Sequence, residues 1–505
     1  MAVNAYAAIV IGAAGITMRI YEINKKIGIK QIDEIVHPMH CGQEIYVEGR
    51  LSFESVDEIC SVLEKFQLKV QEYGVDNVQL CITYSLTDAF NLDFLVTQIR
   101  IKTGMKARVL NQSKDHYLTL QSVAHNMKSF NELIVHGTLI LDVGYGNIQV
   151  TLYDRSELVS AFSHRLGLAR IRGMVGELAI QKKDYARLSR EMVTHFLQEI
   201  QEKLKGRKIR HLIVIGGEMS YLNRLVYNGD AKTYSQAELA EIYEQILHDD
   251  PKLKLEDHHA LLLIPLCVMV QGFMTMTQTD QMYTLDVHLC DGMVSEYAYK
   301  KFKVFSGHHF TQDRMSTALH LAERLGCDMK HNLYVRDIAK VLFKAVSKPY
   351  GLSHKDEQVL ELAAIMHNCG RFVNLTDDTL SYTIVKNSEF INLSDLNRLL
   401  IANVLRYQHG LFPHHRDLDE PLVNQDFYVI LSRVTALFRL AESLDICHLQ
   451  KLDGVRASIK NKEFIVRVSS SKDALIEEQA FKQNAQLFQE VFGLKPVLKF
   501  KRRLS

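Results

Sequence analysis

Two segments of this sequence each contain a glycine turn between two apolar stretches. They are residues 9–22, with Gly12 and Gly15 in the turn, and residues 141–154, with Gly144 and Gly146. Each pattern predicts a strand, a turn whose backbone N–H groups are not covered by side chains, and a second strand. Because such N–H groups bind phosphate oxygens, each segment predicts a phosphate-facing hairpin.

The two segments also align with each other without a gap. One glycine turn alone would mean little, because hairpins with such turns are common and most bind nothing. Two turns in register indicate a duplicated domain. We therefore predict that Gly12 and Gly144 lie on opposing turns across one interdomain cleft, where a phosphate chain is held from both sides.

Composition narrows the classes of protein. The 505 residues favour three or four domains, and the net charge of +1 provides no global field to attract nucleic acid or a membrane. A polyanionic ligand would have to be held by a local site. The eight cysteines are scattered without metal-like spacing, which favours a reducing cytoplasm. The most apolar run, residues 260–270, is too short to span a bilayer and predicts a buried helix.

The pattern of apolar residues changes along the chain. Strands alternate with helices up to about residue 301, which predicts α/β domains, and a helical period follows from about residue 305. Alternation returns after residue 453 and predicts a small α/β tail. We predict domains at 1–125, 126–303, 304–450 and 451–505. Helices of the third domain are predicted at 313–325, 334–347, 355–369, 393–408 and 427–444.

A series of short motifs occurs along the chain in a fixed order. They are Ala8-Ile9-Val10-Ile11-Gly12, Thr83-Tyr84-Ser85-Leu86-Thr87-Asp88-Ala89, Asn111-Gln112-Ser113-Lys114-Asp115, residues 141–149, Leu166-Gly167, Asp291-Gly292, residues 360–370, Arg406-Tyr407 and Arg439-Leu440-Ala441-Glu442-Ser443-Leu444-Asp445. In this order the chain resembles the bacterial exopolyphosphatase and guanosine pentaphosphatase (Ppx/GppA) family over nearly its whole length.

The resemblance implies both a fold and an activity. The fold is α/β, with duplicated actin-like ATPase (ribonuclease H-like) domains, an all-helical HD-type domain and a small α/β tail. The activity is Mg²⁺-dependent hydrolysis of the terminal phosphoanhydride of polyphosphate or guanosine pentaphosphate. The resemblance also favours a homodimer. No nucleic-acid or membrane partner is expected.

Several positions depart from the family pattern in ways that remove chemistry. Val10 stands where the family has an aspartate on the first phosphate loop, and Ala13-Ala14-Gly15 replaces its Ser-Asn-Ser. Thr87 replaces a phosphate-binding arginine, and Gln149 replaces a glutamate of the second loop. Metal-binding, proton-accepting and phosphate-binding groups are therefore missing at once.

Other groups remain. The resemblance assigns metal binding and catalysis to Asp142 and the catalytic carboxylate position to Asp115, which is one methylene shorter than glutamate. Asp115 could instead simply favour a helix N-terminus. The predicted phosphate-binding residues are Gly12, Gly15, Gly144, Gly146, Asn147 and Lys114.

The helical domain lacks most of the ligands that an HD metal site needs. His367 is followed by Asn368, the upstream histidine position falls on Asp337, and a later histidine cluster reads Asp377-Asp378. Gln408 stands where another histidine is expected. We therefore expect a helical bundle without a bound transition metal, in which His367 is a buried, hydrogen-bonded side chain.

These observations leave three classes of function open. The first is a phosphoanhydride hydrolase whose turnover is weak or lost. The second is a regulatory protein that binds polyphosphate or a guanosine polyphosphate and no longer catalyses. The third is a scaffold that binds no small ligand.

Overall fold

The computed structural model describes residues 4–500 apart from 27, 40, 177, 180, 228–231, 254, 256, 306, 307, 309, 311, 376 and 419–423. The chain forms two compact units, Met1–Asp313 and Arg314–Ser505.

The first unit contains two mixed sheets. Its strands are β1 (Asn4–Gly12), β2 (Gly15–Asn24), β3 (Gly28–Pro38), β4 (Asn77–Ile82), β5 (Ala107–Val109), β6 (Thr138–Val143), β7 (Ile148–Asp154), β8 (Glu157–His164), β9 (His211–Ile215), β10 (Lys232–Ser235) and β11 (Gln281–Thr284). Its helices are α1 (Cys41–Glu48), α2 (Phe53–Glu72), α3 (Leu92–Thr103), α4 (Gln112–Asn126), α5 (Phe130–Leu133), α6 (Leu168–Gly176), α7 (Lys182–Lys203), α8 (Gly217–Tyr227), α9 (Gln236–Leu247), α10 (Asp257–Thr277) and α11 (Leu289–Phe302).

The two sheets share one plan, as the repeated turns predict. The first has the strand order β3-β2-β1-β4-β5 and the second the order β10-β11-β9-β6-β7-β8. In each, three sequential antiparallel strands are followed by a parallel strand that pairs with the first of them. Strands β1 and β6 are buried along almost their whole length, because each is paired on both sides. The glycine turns are the β1–β2 and β6–β7 connections.

Helices α4 and α11 cross between the two halves of this unit. On α4, Asp115 and His116 hydrogen-bond to Gln149 and Thr151 of β7 in the second sheet. Helix α11 packs on β1 and β2 of the first sheet, where Asp291 accepts two hydrogen bonds from Arg19 at 2.8 and 3.0 Å. Each helix therefore packs on the sheet of the other half, so a boundary at residues 125/126 does not divide the packing.

Helix α10 contains the apolar run noted in the sequence. Its segment His259–Thr277 is long and apolar enough to cross a membrane, but 67% of that window is buried inside the protein. Its side chains belong to the core between the second sheet and helices α7 and α9. A buried core helix explains the composition, as predicted.

The second unit is a helical bundle with a small sheet. Its helices are α12 (Asp313–Arg324), α13 (Met329–Tyr350), α14 (His354–Met366), α15 (Asp378–Asn387), α16 (Asp395–Arg406), α17 (Gln425–Ser443) and α18 (Leu475–Phe492), and its strands are β12 (Asp453–Lys460), β13 (Glu463–Ser469) and β14 (Lys495–Phe500). Side chains of the sheet and of α18 share one core with the bundle. Helix α15 was not predicted, because its Thr, Ile, Val and Ser residues favour helix only weakly.

The α4–α11 crossing gives a test of the fold. A Cβ added at Gly292 of α11 would lie 2.0 Å from the backbone oxygen of Leu118 on α4. Because backbone atoms cannot yield as a flexible side chain can, we expect Gly292→Ala to lower the free energy of unfolding by about 2 kcal/mol. Denaturant unfolding followed by circular dichroism measures it.

Gly173→Ala is the matched control. It also lies in a helix, and a Cβ there meets no atom within 4 Å. We expect it to be neutral or to stabilise by roughly 0.5 kcal/mol. Equal stability of the two variants would contradict the close packing of α4 on α11.

Candidate active site

Both glycine turns line a single cavity of about 660 Å³ in the first unit, which we call the cleft cavity. Of the residues predicted to act here, six line it: Gly12, Gly15, Asp115, Asp142, Gly144 and Asn147. The fold therefore brings together residues of β1, α4 and β6 that are far apart along the chain, as the sequence predicted.

The first turn has backbone geometry that only glycine accommodates easily. Gly12 pairs with Gly15 at the end of the β1–β2 hairpin. Gly15 has a φ of +151°, and a Cβ at this position would lie 2.4 Å from the oxygen of His37. The turn is thus held tightly against the end of β3, and Gly12 and Gly15 both border the cavity.

The second turn places an unpaired donor in the cavity wall. The Gly144 N–H donates to the Asn147 oxygen at 3.0 Å, which closes the turn. The Nδ2 of Asn147 is buried and has no hydrogen-bond partner among the described residues. A buried amide donor without a partner is costly, so this group fits an acceptor supplied by a ligand.

Two carboxylates and an amide lie next to this turn. Asp115 Oδ1 accepts from the Tyr84 N–H at 3.2 Å, and Oδ2 accepts from Gln149 Nε2 at 3.3 Å. Burial raises the pKa of Asp115 to about 6, although these two hydrogen bonds oppose the rise. The Oε1 of Gln149 is buried without a hydrogen-bond partner among the described residues.

Asp142 is the most perturbed acid of the cleft cavity. Burial raises its pKa to about 7, and the nearby Asp115 carboxylate adds to the rise, whereas a hydrogen bond with Thr119 opposes it. Two buried carboxyl groups that repel each other lose their protons easily only when a cation is close. The pair is therefore suited to hold either a proton or a metal ion.

Two predicted phosphate ligands lie elsewhere. Lys114 is buried, with its Nζ 2.5 Å from Glu296 and 4.5 Å from the centre of the Tyr117 ring, and it does not line the cleft cavity. Gly146 also does not line it, because Tyr46 covers this position: a Cβ there would lie 1.9 Å from the Tyr46 oxygen. The sequence could not show either contact, since both partners come from distant elements.

The substituted positions line the cavity with apolar groups. Val10, Ala13 and Ala14 all border it. Thr87 donates its hydroxyl hydrogen to the Tyr84 oxygen at 2.7 Å, and so it caps a short 3₁₀ turn. Thr87 itself therefore supplies no positive charge at the position where the family pattern has an arginine.

Sequence reasoning missed three acidic side chains of the cleft cavity, Glu34, Glu218 and Asp286. Glu218 is the most deeply buried of them. It follows Gly216-Gly217 at the start of α8 and is almost completely buried. Its Oε1 accepts from the Tyr145 hydroxyl at 2.6 Å, and its Oε2 lies 3.0 Å from His259 Nδ1. A carboxylate just after a glycine pair that joins a strand to a helix is the signal that could have identified it.

The charges around the cavity are mainly negative. The acidic lining residues are Glu34, Asp115, Asp142, Glu218 and Asp286, and the arginines are Arg19 and Arg224. Arg19 is already bound to Asp291 and Glu34, and Arg224 lies 3.5 Å from Asp286. A bare polyanion therefore meets repulsion here, and a phosphate ligand needs an accompanying cation.

Comparisons with known proteins agree with this geometry. A model of the Ppx/GppA phosphatase family matches residues 20–301, and a model of Ppx/GppA phosphatase domain III matches residues 314–490. The chain belongs to the Ppx/GppA phosphatase family. The predicted family is thus confirmed.

Solved structures of Ppx/GppA proteins confirm the fold class. The chain is similar to the Aquifex aeolicus family member, with 16% identity and a TM-score of 0.50 over 60% of this chain and 99% of that one. It is also similar to an exopolyphosphatase from Cytophaga hutchinsonii, with 14% identity and a TM-score of 0.51 over 60% of this chain and 100% of that one. At such identities the likeness shows the fold alone.

In the region that matches Ppx/GppA domain III, the structure corrects one sequence assignment. Asp337 does not occupy the upstream histidine position, because it is exposed and pairs with Arg336. His331, less than two turns earlier on α13, is fully buried instead. Its Nδ1 lies 2.8 Å from Asp445 Oδ2, and its Nε2 lies 3.1 Å from His367 Nε2.

His367 is buried and hydrogen-bonded. Its Nδ1 donates to the Ala364 oxygen at 2.7 Å, and its Nε2 lies 2.8 Å from the Asn368 amide. Burial holds its pKa well below the ordinary value, and His331 adds to this effect. Among the described residues, no group of three or more His, Cys, Asp or Glu side chains is placed to hold a metal ion.

Gln408 and His409 contact Asp378 instead of a histidine cluster. Gln408 Nε2 donates to Asp378 Oδ1 at 2.7 Å, and His409 Nδ1 lies 2.7 Å from Asp378 Oδ2. The hydrogen bonds with Asp378 and Glu442 raise the pKa of His409 to about 9. This group therefore forms an ion pair that ties α15 to the end of α16.

The buried acids of the cleft predict a dependence of stability on pH. Asp142 and Asp115 have pKa values near 7 and 6 in the folded protein, against about 3.9 when unfolded. The folded state binds more protons between these values, so without divalent cations we expect stability to fall from pH 4 to pH 7 and then to level off. Thermal unfolding across this range in a chelating buffer measures the slope.

In Asp142→Asn the part of this slope near pH 6–7 should disappear, and the variant should unfold several degrees above the wild type at pH 8. Asp154→Asn, at the other end of β7, should keep the wild-type slope. A slope that is identical in all three proteins would show that the cleft acids are not responsible.

The histidine pair of the second unit gives another prediction. Removing His331 takes a buried partner from Asp445, so we expect His331→Ala to destabilise the protein by about 3 kcal/mol. Asp337→Ala, on the same helix but exposed, should change stability by less than about 0.5 kcal/mol. Denaturant unfolding measures both losses. Similar losses in the two variants would contradict the assignment of the upstream histidine position to His331 and favour Asp337.

Proposed function

We propose that the cleft cavity binds a phosphate chain together with a divalent cation, and that the protein hydrolyses the terminal phosphoanhydride only slowly or not at all. The observation that carries this proposal is the pair of unpaired buried amide groups, Asn147 Nδ2 and Gln149 Oε1, beside Asp142. One is a donor that suits a phosphate oxygen, and the other is an acceptor that suits a cation or its bound water.

The backbone of the two turns supports phosphate binding. Gly12 and Gly15 border the cavity from the first hairpin, and Gly144, whose own N–H is bonded to the Asn147 oxygen, borders it from the second. Backbone N–H groups of such turns bind anions without any charged side chain. This matters here because the charges around the cavity are mainly negative.

The donor set fits Mg²⁺. This ion prefers oxygen ligands, keeps several waters, and is commonly held by one or two carboxylates together with substrate phosphates. Asp142 would hold it, with the Gln149 amide oxygen beside it. When bound, Mg²⁺ would neutralise phosphate charge and polarise the phosphoryl group.

Asp115 is the residue proposed to orient the attacking water. Its pKa of about 6 leaves most of it ionised at neutral pH, so it can accept a proton. The Tyr84 N–H and the Gln149 amide hold the carboxylate in place. The proposal keeps Asp115 and Asp142 in the roles that the family resemblance assigns to them.

The same site explains why turnover should be weak. Val10 supplies no second metal carboxylate, and Thr87 supplies no cation for the transferred phosphoryl group. Each electrostatic group of this kind contributes about 100- to 1000-fold to turnover. The second candidate is therefore a regulatory protein that binds polyphosphate or a guanosine polyphosphate without hydrolysing it.

The proposed function also implies a location and partners for the protein. We place the protein in the cytoplasm, where phosphate-rich metabolites and Mg²⁺ are both present, and expect a homodimer with no nucleic-acid or membrane partner. The similar structure from Cytophaga hutchinsonii is described as an exopolyphosphatase, which agrees with this proposal.

Phosphate release from polyphosphate and from guanosine pentaphosphate, with and without Mg²⁺, tests the proposal. We expect low turnover that falls at least about 100-fold in Asp142→Asn and in Asp115→Asn, because one variant loses the metal ligand and the other the base. Asp154→Asn should keep the wild-type rate. Combining Val10→Asp with Gln149→Glu should raise turnover, since both restore carboxylates at the cavity.

Binding is measured separately by thermal stabilisation with Mg²⁺ and each ligand. Binding without turnover supports the regulatory candidate. Strong turnover that survives both Asn variants would place the chemistry outside the cleft cavity. If neither ligand stabilises the protein, the remaining class of function is a scaffold that binds no small ligand.

A further inference from the structure

We propose that the first unit carries a second anion site, separate from the cleft, which binds a compact phosphate-type dianion without a metal ion. The site is a cavity of about 340 Å³ at the outer edge of the first sheet, where β4 and β5 meet α11, and we call it the edge cavity. No described residue lines both the edge cavity and the cleft cavity. The described residues that line the edge cavity are Gln79, Arg108, Glu296, Tyr297, Lys300 and Lys301.

Positive charge is in excess around the edge cavity. Among its described lining residues, three are cations, Arg108, Lys300 and Lys301, and Glu296 is the single acid. The cleft cavity has the opposite balance, and a phosphate needs an accompanying cation there. A cavity with an excess of cations can bind an oxyanion directly.

The acid of the edge cavity is already paired with two lysines. Glu296 Oε1 accepts from Lys114 Nζ at 2.5 Å and from Lys300 Nζ at 2.6 Å. Burial alone would raise the pKa of Glu296, but the charges of Lys114 and Lys300 hold it below its ordinary value. Glu296 is therefore ionised with its charge offset, and its repulsion of a bound anion is weak.

Arg108 is the cation of the edge cavity that is best placed to bind an anion. It is exposed on β5 and makes no hydrogen bond or ion pair with any described residue. Lys300 is bonded to Glu296, and Lys301 Nζ donates to the Tyr297 hydroxyl at 2.9 Å. A guanidinium presents its N–H groups in a planar fork that matches two oxygens of one anion. We therefore assign the main contact to Arg108, with the two lysines adding charge.

A neutral donor of the edge cavity is held in position by a buried tyrosine. The Tyr6 hydroxyl donates to Gln79 Oε1 at 2.8 Å, and Tyr6 is completely buried. Because this bond occupies the amide oxygen, Gln79 Nε2 is the group that can donate to a ligand. It makes no hydrogen bond with the described residues. The edge cavity thus offers an amide donor in addition to its cations.

The same walls limit the size of the ligand. The Tyr297 ring is stacked on Tyr6, with ring centres 4.5 Å apart, and Lys301 Nζ lies 5.3 Å from its centre. Little ring surface is left to stack an aromatic ligand, whereas N–H donors come from two strands and a helix. The ligand class is therefore a compact oxyanion, either free in solution or as the phosphate group of a small ester.

Isothermal titration calorimetry of the metal-free protein with inorganic phosphate, at constant ionic strength set with sodium chloride, tests the proposal. We expect binding without Mg²⁺ that weakens about tenfold in Arg108→Gln, because this variant loses a charge-assisted contact. Arg100→Gln is the matched control. It removes an exposed arginine of α3 that does not line the edge cavity, and it should keep the wild-type affinity. Asn147→Ala, in the cleft, should also keep it.

Sodium sulfate and glycerol 3-phosphate are the further probes. Binding of any of the three that Arg108→Gln weakens supports the site, and the probe that binds most tightly shows whether the ligand is a free oxyanion or an ester. If no probe binds, or if wild type and Arg108→Gln bind equally, the edge-cavity proposal is overturned and the proposed function of the cleft is unaffected. Phosphate binding that is lost in Asn147→Ala would place the anion in the cleft and would also overturn it. Failure of the cleft to bind its ligand with Mg²⁺ leaves the edge cavity standing.

Discussion

The close approach of helices α4 and α11 is the constraint on which the site depends. Gly292 lies where any Cβ would collide with the backbone of Leu118, and the Arg19–Asp291 ion pair anchors α11 to the first sheet. Since α4 packs on the second sheet, the crossing holds both halves in one arrangement. Only in that arrangement do the β1–β2 and β6–β7 turns border the same cavity.

Much of this arrangement could be predicted from the sequence, because local residue patterns indicate it. The glycine turns, their register and the alternation of strands and helices predict two sheets of the same plan. The cavity at their turns brings together Asp142 of β6 and Asp115 of α4. Backbone geometry at Gly15 explains why the turn signal is reliable: its φ of +151° and its approach to His37 leave little choice of residue. Helix α15 escaped prediction because its composition is weakly helical and tertiary packing decides its state.

The parts that could not be predicted depend on contacts between distant segments. The sequence predicts Lys114 as a phosphate ligand. In the structure it pairs with Glu296, which lies far along the chain on α11. The sequence predicts an open turn at Gly146, but in the structure Tyr46 of α1 covers this position. In the second unit, Asp337 and His331 differ by six positions on one helix, and only the packing of α14 and α17 shows which of them faces His367. Single-chain patterns contain no information on such partners.

The balance of charge connects the substitutions to one another. The family resemblance implies carboxylates at the positions of Val10 and Gln149 and an arginine at the position of Thr87, so these substitutions remove groups of both signs. Losing groups of both signs still leaves acids in excess around the cavity, so the proposed phosphate needs an accompanying cation. Ala13 and Ala14 line the cavity without a side-chain donor for phosphate. The proposed affinity therefore depends on the backbone of the turns, the Asn147 amide and the cation that accompanies the ligand.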